Sequence, residues 1–293
     1  MSKSILKWAG GKTTLLPKIK VRLDKISNKE NAIFYDLFAG GGSVSFEFSS
    51  LFKHTVLNDI NKEITDLYKV IKSNPLELIE KLLEYQQKHN KDFYYKIRSL
   101  DRDQNYKQLD GITKAARTIY LNKTCFNGLY RVNSKGQFNV PIGRQAKIKI
   151  YDEMVFMEIH KKLQNIDITN HDFNYLINNN VPKPGDVVYI DPPYDKISDN
   201  SFVEYSTNGF SSYDQERLAK DVKTLTERGV YVIVSNSYTE RTKKLYAEFF
   251  DKNSIIKVRR LIGASVSSRN QVDEILVDNI KQVKENVNKN KKT

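Results

Sequence analysis

The stretch Ile33-Phe34-Tyr35-Asp36-Leu37-Phe38-Ala39-Gly40-Gly41-Gly42-Ser43 decides how this chain folds. Its first half, Ile33–Phe38, is a short apolar run of the kind that forms a buried parallel strand. Its second half sets three glycines between that strand and a following helix. A strand turning sharply into a helix needs residues that take positive φ, and residues without Cβ let a ligand touch the backbone. A second apolar run, Thr55–Leu57, leads into Asn58-Asp59, which puts an acid 19 positions after Gly40. In nucleoside-binding α/β folds an acid at that place bonds a ribose diol. A dehydrogenase fingerprint would need glycine or alanine three positions past Gly42, and Ser45 stands there.

Working outward, strand and helix alternate again from Ile166. Asp186–Ile190, Tyr231–Ser235, Ile255–Leu261 and Glu274–Val277 read as strands, and Tyr213–Arg228 and Glu240–Phe250 as helices. Alternation at both ends predicts an α/β fold with a doubly wound sheet. Late strands without long helices between them predict an antiparallel hairpin at one edge. Between these ends, Asn61–Ser73, Pro75–Asn90, Phe93–Asp101 and Thr113–Asn122 carry helical apolar spacing. The expected organisation is an α/β domain over residues 1–60 and 166–280, a helical insertion at 61–165, and a frayed lysine-rich tail at 281–293.

The 293 residues suit one large domain or one domain carrying an insertion. An apolar content of 39% and a charged content of 28% are those of a globular protein and not of a disordered one. Lysine and arginine exceed aspartate and glutamate by 48 to 35, a net charge of +13. Such an excess favours a polyanionic partner, although a lysine-rich proteome alone raises it too. Cys125 is the one cysteine, so no intramolecular disulfide forms and a reducing cytoplasm is expected. Four scattered histidines show no ligand spacing, so no metal is expected. No signal peptide or membrane span is legible.

Two near-motifs fail on inspection. Lys7-Trp8-Ala9-Gly10-Gly11-Lys12-Thr13 ends like a P-loop, but the required first glycine is Leu6. A basic glycine-rich turn beside Trp8 still suits a carboxylate-bearing ligand. Asp101-x-Asp103-x-Asn105 opens like a calcium loop, but Tyr106 and Ile112 replace its glycine and glutamate.

The strand Asp186–Ile190 runs into Asp191-Pro192-Pro193-Tyr194, and ligands of open α/β sheets bind beyond the carboxyl ends of strands. This tetrapeptide suits one chemistry. An exocyclic amine on a nucleobase is a poor nucleophile because its lone pair is delocalised into the ring. Asp191 and the Pro192 carbonyl can each accept an N–H, orienting the amine and stabilising positive charge as it develops. Pro193 stiffens the turn, and Tyr194 offers a flat face on which a flipped base stacks.

Lys7–Lys12, Asp36–Ser43, Asn58-Asp59, Phe126–Arg144 and Asp191–Tyr194 together resemble the Dam family of DNA adenine-N6 methyltransferases, in its α-class order. The most specific part is Cys125-Phe126-Asn127-Gly128-Leu129-Tyr130-Arg131 with Gln137-Phe138-Asn139-Val140-Pro141-Ile142-Gly143-Arg144. The resemblance implies a catalytic domain with an S-adenosylmethionine-dependent methyltransferase sheet. It implies a target-recognition insertion with a DNA-reading hairpin at 125–144. It places Trp8, Lys12, Phe38, Gly40, Asp59, Asp172 and Asp191 at the cofactor, and Lys7, Asn127, Leu129, Arg131, Asn139 and Arg144 at DNA. The expected substrate is N6 of a flipped adenine in double-stranded DNA, in a GATC site, acted on by a monomer that has scope for a cognate restriction enzyme. Two rivals stay open: an RNA or protein N-methyltransferase, whose relatives carry asparagine in place of Asp191, and a non-catalytic DNA-binding relict of the fold.

Overall fold

The computed structural model describes residues 4–8, 12–144, 148–194, 210–259 and 271–290. Gly10, Gly11 and the expected strand end at Leu261 lie outside the described residues. In chain order the elements are α1 (Leu16–Leu23), β1 (Ile33–Asp36), α2 (Ser43–Phe48), β2 (His54–Asn58), α3 (Lys62–Ser73), α4 (Pro75–Gln87), α5 (Lys91–Ser99) and α6 (Gly111–Thr124). Then come α7 (Glu153–Leu163), β3 (Ile166–Thr169), α8 (Phe173–Asn178), β4 (Val187–Ile190), α9 (Ser212–Glu227), β5 (Tyr231–Ser237), α10 (Glu240–Leu245), β6 (Ile255–Arg259), β7 (Gln271–Asp278) and α11 (Ile280–Asn290).

The strands form one sheet in the order β3-β2-β1-β4-β5-β7-β6. From β3 to β5 every pairing is parallel, while β7 runs antiparallel between β5 and β6. The predicted α/β sheet with an antiparallel edge is therefore what forms. Every residue of β4 is buried, and alternate residues serve opposite faces. Val188 and Ile190 pack toward α8 and α9 with Val232 and Val234. Val187 and Tyr189 pack toward α1 and α2 with Phe34 and Ile233. Such strands read as continuous apolar runs, because both faces are covered.

Helix starts follow local chemistry. Asn61, Asn90 and Asp110 cap α3, α5 and α6 by accepting backbone N–H groups, and Ser211 and Asp214 form a reciprocal capping box on α9. The caps move the expected starts Phe93 and Thr113 back to Lys91 and Gly111. The helices of the middle segment share one apolar cluster with Leu57 of β2 and Ile166 of β3, so they pack directly onto the sheet.

Residues 280–290 differ from the expected frayed tail. They form α11, which buries Ile280 and Val283. Gln282 donates to the Glu248 carbonyl at 2.8 Å. Two apolar residues three apart give the helix a face to bury, which a count of lysines conceals.

Chain order reverses at β1, whose neighbours are β2 on one side and β4 on the other. Ligand crevices of open sheets lie at such a switch point. The loops leaving β1 and β4 are the glycine turn and Asp191–Tyr194.

Candidate active site

Asp191 follows β4 directly, and its carboxylate is gripped from two sides. Lys12 Nζ lies 2.8 Å from Oδ2, and Ser235 Oγ, at the matching end of β5, donates to Oδ1 at 2.7 Å. Lys12 is 5% exposed, so this is a nearly dry ion pair. Burial pushes the Asp191 carboxyl up, and Lys12 and Ser235 oppose that rise. The Lys12 ammonium also sits 4.5 Å from the centre of the Tyr194 ring.

Tyr194 is tied at its far end, where its hydroxyl donates to Glu274 Oε2 at 2.8 Å. Glu274 belongs to β7 and is 5% exposed. The Pro193 carbonyl accepts from Gln215 Nε2 at 3.0 Å, and Asn236 orients that amide. Pro192, between Asp191 and Pro193, is buried.

The glycine turn closes against Asp59. Its Oδ2 accepts from Gly40 N and its Oδ1 from Asn61 N, each at 2.8 Å. Burial raises this carboxyl, while both backbone N–H groups work the other way. Gly40 has φ 47°, and a Cβ there would lie 2.6 Å from Trp8 Nε1, so only glycine admits the indole. Phe38 packs on Phe173 and Phe210 at ring distances of 5.5 and 5.8 Å. Asp172 caps α8 and pairs with Arg217 at 3.1 Å.

The segment before Lys12 joins this crevice to the hairpin. Trp8 lies 5.2 Å from the Tyr130 ring. Asn122 of α6 holds both backbone groups of Lys7 at 2.7 Å, and the Lys7 side chain lies on Gly128. The hairpin itself forms: Cys125 pairs with Ile142 and Val132 with Phe138 in antiparallel bridges. Asn127 takes φ 54° at its start, and Leu129 is half-buried beside it. Arg131 is exposed and donates Nε to Asn139 Oδ1 at 2.7 Å. Arg144 is exposed just past Gly143, whose N–H donates to the Thr124 carbonyl.

Residues 8–262 match the family model of D12 class N6 adenine-specific DNA methyltransferases. The chain belongs to that family. It is 40% identical over 276 residues to the type II methyltransferase M1.LlaDCHI of Lactococcus lactis subsp. cremoris, covering 93% of this chain and 94% of that one. It is 39% identical to the type II methyltransferase M.MjaIII of Methanocaldococcus jannaschii, over 94% and 99% of the two chains. It is 33% identical to the DNA adenine methylase of Escherichia coli, over 94% of each. The solved rRNA methyltransferase aviRa of Streptomyces viridochromogenes aligns at 12% identity with a TM-score of 0.39, too loose a likeness to carry weight.

For this adenine-specific DNA methyltransferase, the sequence did not announce Ser235, Glu274, Gln215 or Asn122. Glu274 left a faint signal, since it is a charged residue directly adjoining the apolar run Ile275–Val277. Asp36 is fully buried and accepts from Ser45 Oγ at 2.7 Å. Burial first, and the nearby Asp191 and Asp59 charges, push its carboxyl up to about 7. Cys125 is buried and its thiol is pushed up to about 12 by burial, which leaves it inert as a nucleophile. Among the described residues no group of three or more His, Cys, Asp or Glu is placed to hold a metal ion, and no helix is long and apolar enough to cross a membrane.

Proposed function

We propose that the chain transfers a methyl group from S-adenosylmethionine to N6 of an adenine flipped out of duplex DNA, in a GATC site. The observation that carries this reading is the Asp191 carboxylate, held by Lys12 and Ser235 beside the anchored Tyr194 ring.

The residues at the switch point fit the cofactor in chemistry. The Asp59 oxygens keep lone pairs beyond Gly40 N and Asn61 N, which suits a ribose diol. Trp8 and Phe38 supply aromatic walls, Gly40 a bare backbone, and Asp172 an acceptor for an adenine amine. When bound, S-adenosylmethionine supplies an electrophilic methyl on a sulfonium, so the protein need not generate a reactive group of its own.

What the chain's own residues do follows from their setting. Asp191 and the Pro192 carbonyl accept the two N6 hydrogens and turn the amine lone pair toward the incoming carbon. The Asp191 charge stabilises the positive charge that develops on nitrogen, and its interaction is strong because the surroundings are nearly dry. Lys12 favours the ionised form of Asp191 against the burial that opposes it. Tyr194, fixed at its hydroxyl by Glu274, provides the face on which the extruded base stacks.

On the DNA side, Lys7, Asn127, Leu129, Arg131, Asn139 and Arg144 line the reading surface, and Arg131 is the bidentate partner for a guanine. The insertion at 61–165 carries all of this surface except Lys7. The enzyme acts as a monomer in the cytoplasm, and the type II names of its relatives leave scope for a cognate restriction enzyme.

Plasmid treated with the enzyme should resist a GATC nuclease blocked by adenine methylation and become sensitive to one that requires it. An Asp191→Ala enzyme should lose activity by on the order of a hundredfold or more in single turnover. Unchanged cutting by both nucleases, with N6-methyladenine in the DNA, would move the site away from GATC. Methyl transfer to matched RNA and not to DNA would overturn the reading altogether.

A further inference from the structure

We infer that the buried ion pair between Asp101 and Arg117 positions the 125–144 hairpin, and so sets how sharply the enzyme distinguishes its site. This rests on the hairpin's reading role proposed above.

Asp101 opens the segment that resembles a calcium loop, but its side chain is turned to the hairpin. Oδ2 meets Arg117 Nη2 at 2.5 Å and accepts the Phe138 N–H at 2.7 Å. Oδ1 meets Arg102 Nη1 at 2.5 Å, and Arg102 Nη2 donates to the Phe138 carbonyl at 2.8 Å. Both backbone polar groups of Phe138 are thus held by the Asp101-Arg102 dipeptide. Asp103, the second acid of the motif, caps the turn Gln104–Gln108 by accepting Asn105 N. The motif is spent on architecture.

Arg117 is 1% exposed. Its Nε and Nη2 also donate to the Ile97 and Arg98 carbonyls, which pins it to α5. Its Nη1 stands 3.8 Å from Glu63 Oε1, and Glu63 Oε2 accepts the Tyr130 hydroxyl at 3.0 Å. Each arm of the hairpin, Tyr130 on one and Phe138 on the other, is therefore reached by an acid that faces Arg117.

The next residue completes the connection. Asn139 follows Phe138, donates its N–H to the Arg131 carbonyl at 3.1 Å, and accepts from Arg131 Nε. A shift of Phe138 is transmitted directly to the Arg131 guanidinium. Buried ion pairs are poor stabilisers beside an apolar filling, but they fix which donor meets which acceptor. Here the donor so fixed is one amide of the hairpin. Asp101 is a positioning residue, and it acts through Phe138 and Asn139.

The test uses Asp101→Asn, which keeps an acceptor for Phe138, and the double variant Asp101→Ala/Arg117→Met, which removes both buried charges and keeps the core filled. Three quantities are read: single-turnover methylation of GATC against each single-base variant, hydrogen exchange of the 132–140 amides, and S-adenosylmethionine affinity. In the double variant, discrimination at the pair read by Arg131 should fall about tenfold, a loss within the range of one bidentate base contact. The 132–140 amides should exchange faster, and cofactor affinity should stay within about twofold because Asp59 and Gly40 are untouched. Asp101→Asn should recover part of both losses. A double variant with wild-type discrimination and wild-type exchange overturns the inference. Lack of discrimination in the wild-type enzyme would instead sink the function on which it rests, and the exchange rates would still judge the clamp.

Discussion

Lys12 Nζ and Asp191 Oδ2 meet at 2.8 Å, with the Tyr194 ring directly beneath the same ammonium. The sequence reading placed Lys12 at the cofactor, and in the structure its ammonium contacts the Asp191–Tyr194 loop. One cation thus links the segment after Trp8 to both ends of the tetrapeptide.

That contact predicts a pH effect. Burial raises the Asp191 carboxyl and Lys12 pulls it back down, so Lys12→Met should let it protonate at higher pH. If ionised Asp191 is the required form, the acid limb of kcat/KM moves upward in the variant, with activity recovering toward alkaline pH. A profile lowered equally at every pH would show that Lys12 serves only as a cofactor contact.

Asp59→Ala tests the ribose assignment. The carboxylate holds Gly40 N and Asn61 N, so its loss removes both a ligand acceptor and the brace of the glycine turn. Calorimetry should show S-adenosylmethionine affinity down by about tenfold or more, within the 1.5–3 kcal/mol span of charged hydrogen bonds. Affinity for DNA should stay within about twofold. Unchanged cofactor affinity would count against the assignment.

Asp36 predicts a stability effect of opposite sign to the usual carboxylate. Its folded value, pushed up to about 7 from 3.8, means that the folded state holds a proton which the unfolded chain has released. The stability it contributes is fully present below about 4 and is lost as pH rises through about 7. Asp36→Asn keeps an acceptor for Ser45 Oγ and removes the titration. Denaturant midpoints from pH 5 to 8 should show wild type losing ground to the variant by on the order of 1–3 kcal/mol. Parallel curves would place the titration elsewhere in the Asp36, Asp59 and Asp191 cluster.

The sequence disclosed what depends on short-range pattern. The run Ile33–Phe38, the turn Gly40–Gly42 and the prolines after Ile190 constrain the backbone within a few residues, so the strand, the glycine turn and the loop beyond Ile190 were legible. The braces were not, because they are set by tertiary placement. Ser235 and Glu274 reach the site only because β5 pairs with β4 and β7 pairs in turn with β5. Asp101 read as a failed calcium motif since its partners, Arg117 and the Phe138 amide, come from elsewhere in the chain. The helix over 280–290 was hidden because its few apolar residues stand among lysines and asparagines.

Arg131 separates reading from positioning. Its Nε is engaged by Asn139 at 2.7 Å, and the side chain is exposed. The guanidinium is thus oriented by one edge, and its terminal nitrogens have the geometry by which an arginine can bond guanine O6 and N7 together. Arg131→Ala should cost about 1–3 kcal/mol of discrimination at one base pair of GATC. Asn139→Ala should relax the same base pair by less, since it frees the guanidinium without removing it. A phosphate contact behaves differently: its loss weakens every sequence alike and flattens the salt dependence. The deciding measurement is methylation rate on GATC and every single-base variant, at two salt concentrations. Should Arg131→Ala lower all rates in equal proportion and reduce the salt slope, Arg131 is a phosphate contact, and the hairpin positions DNA without reading it.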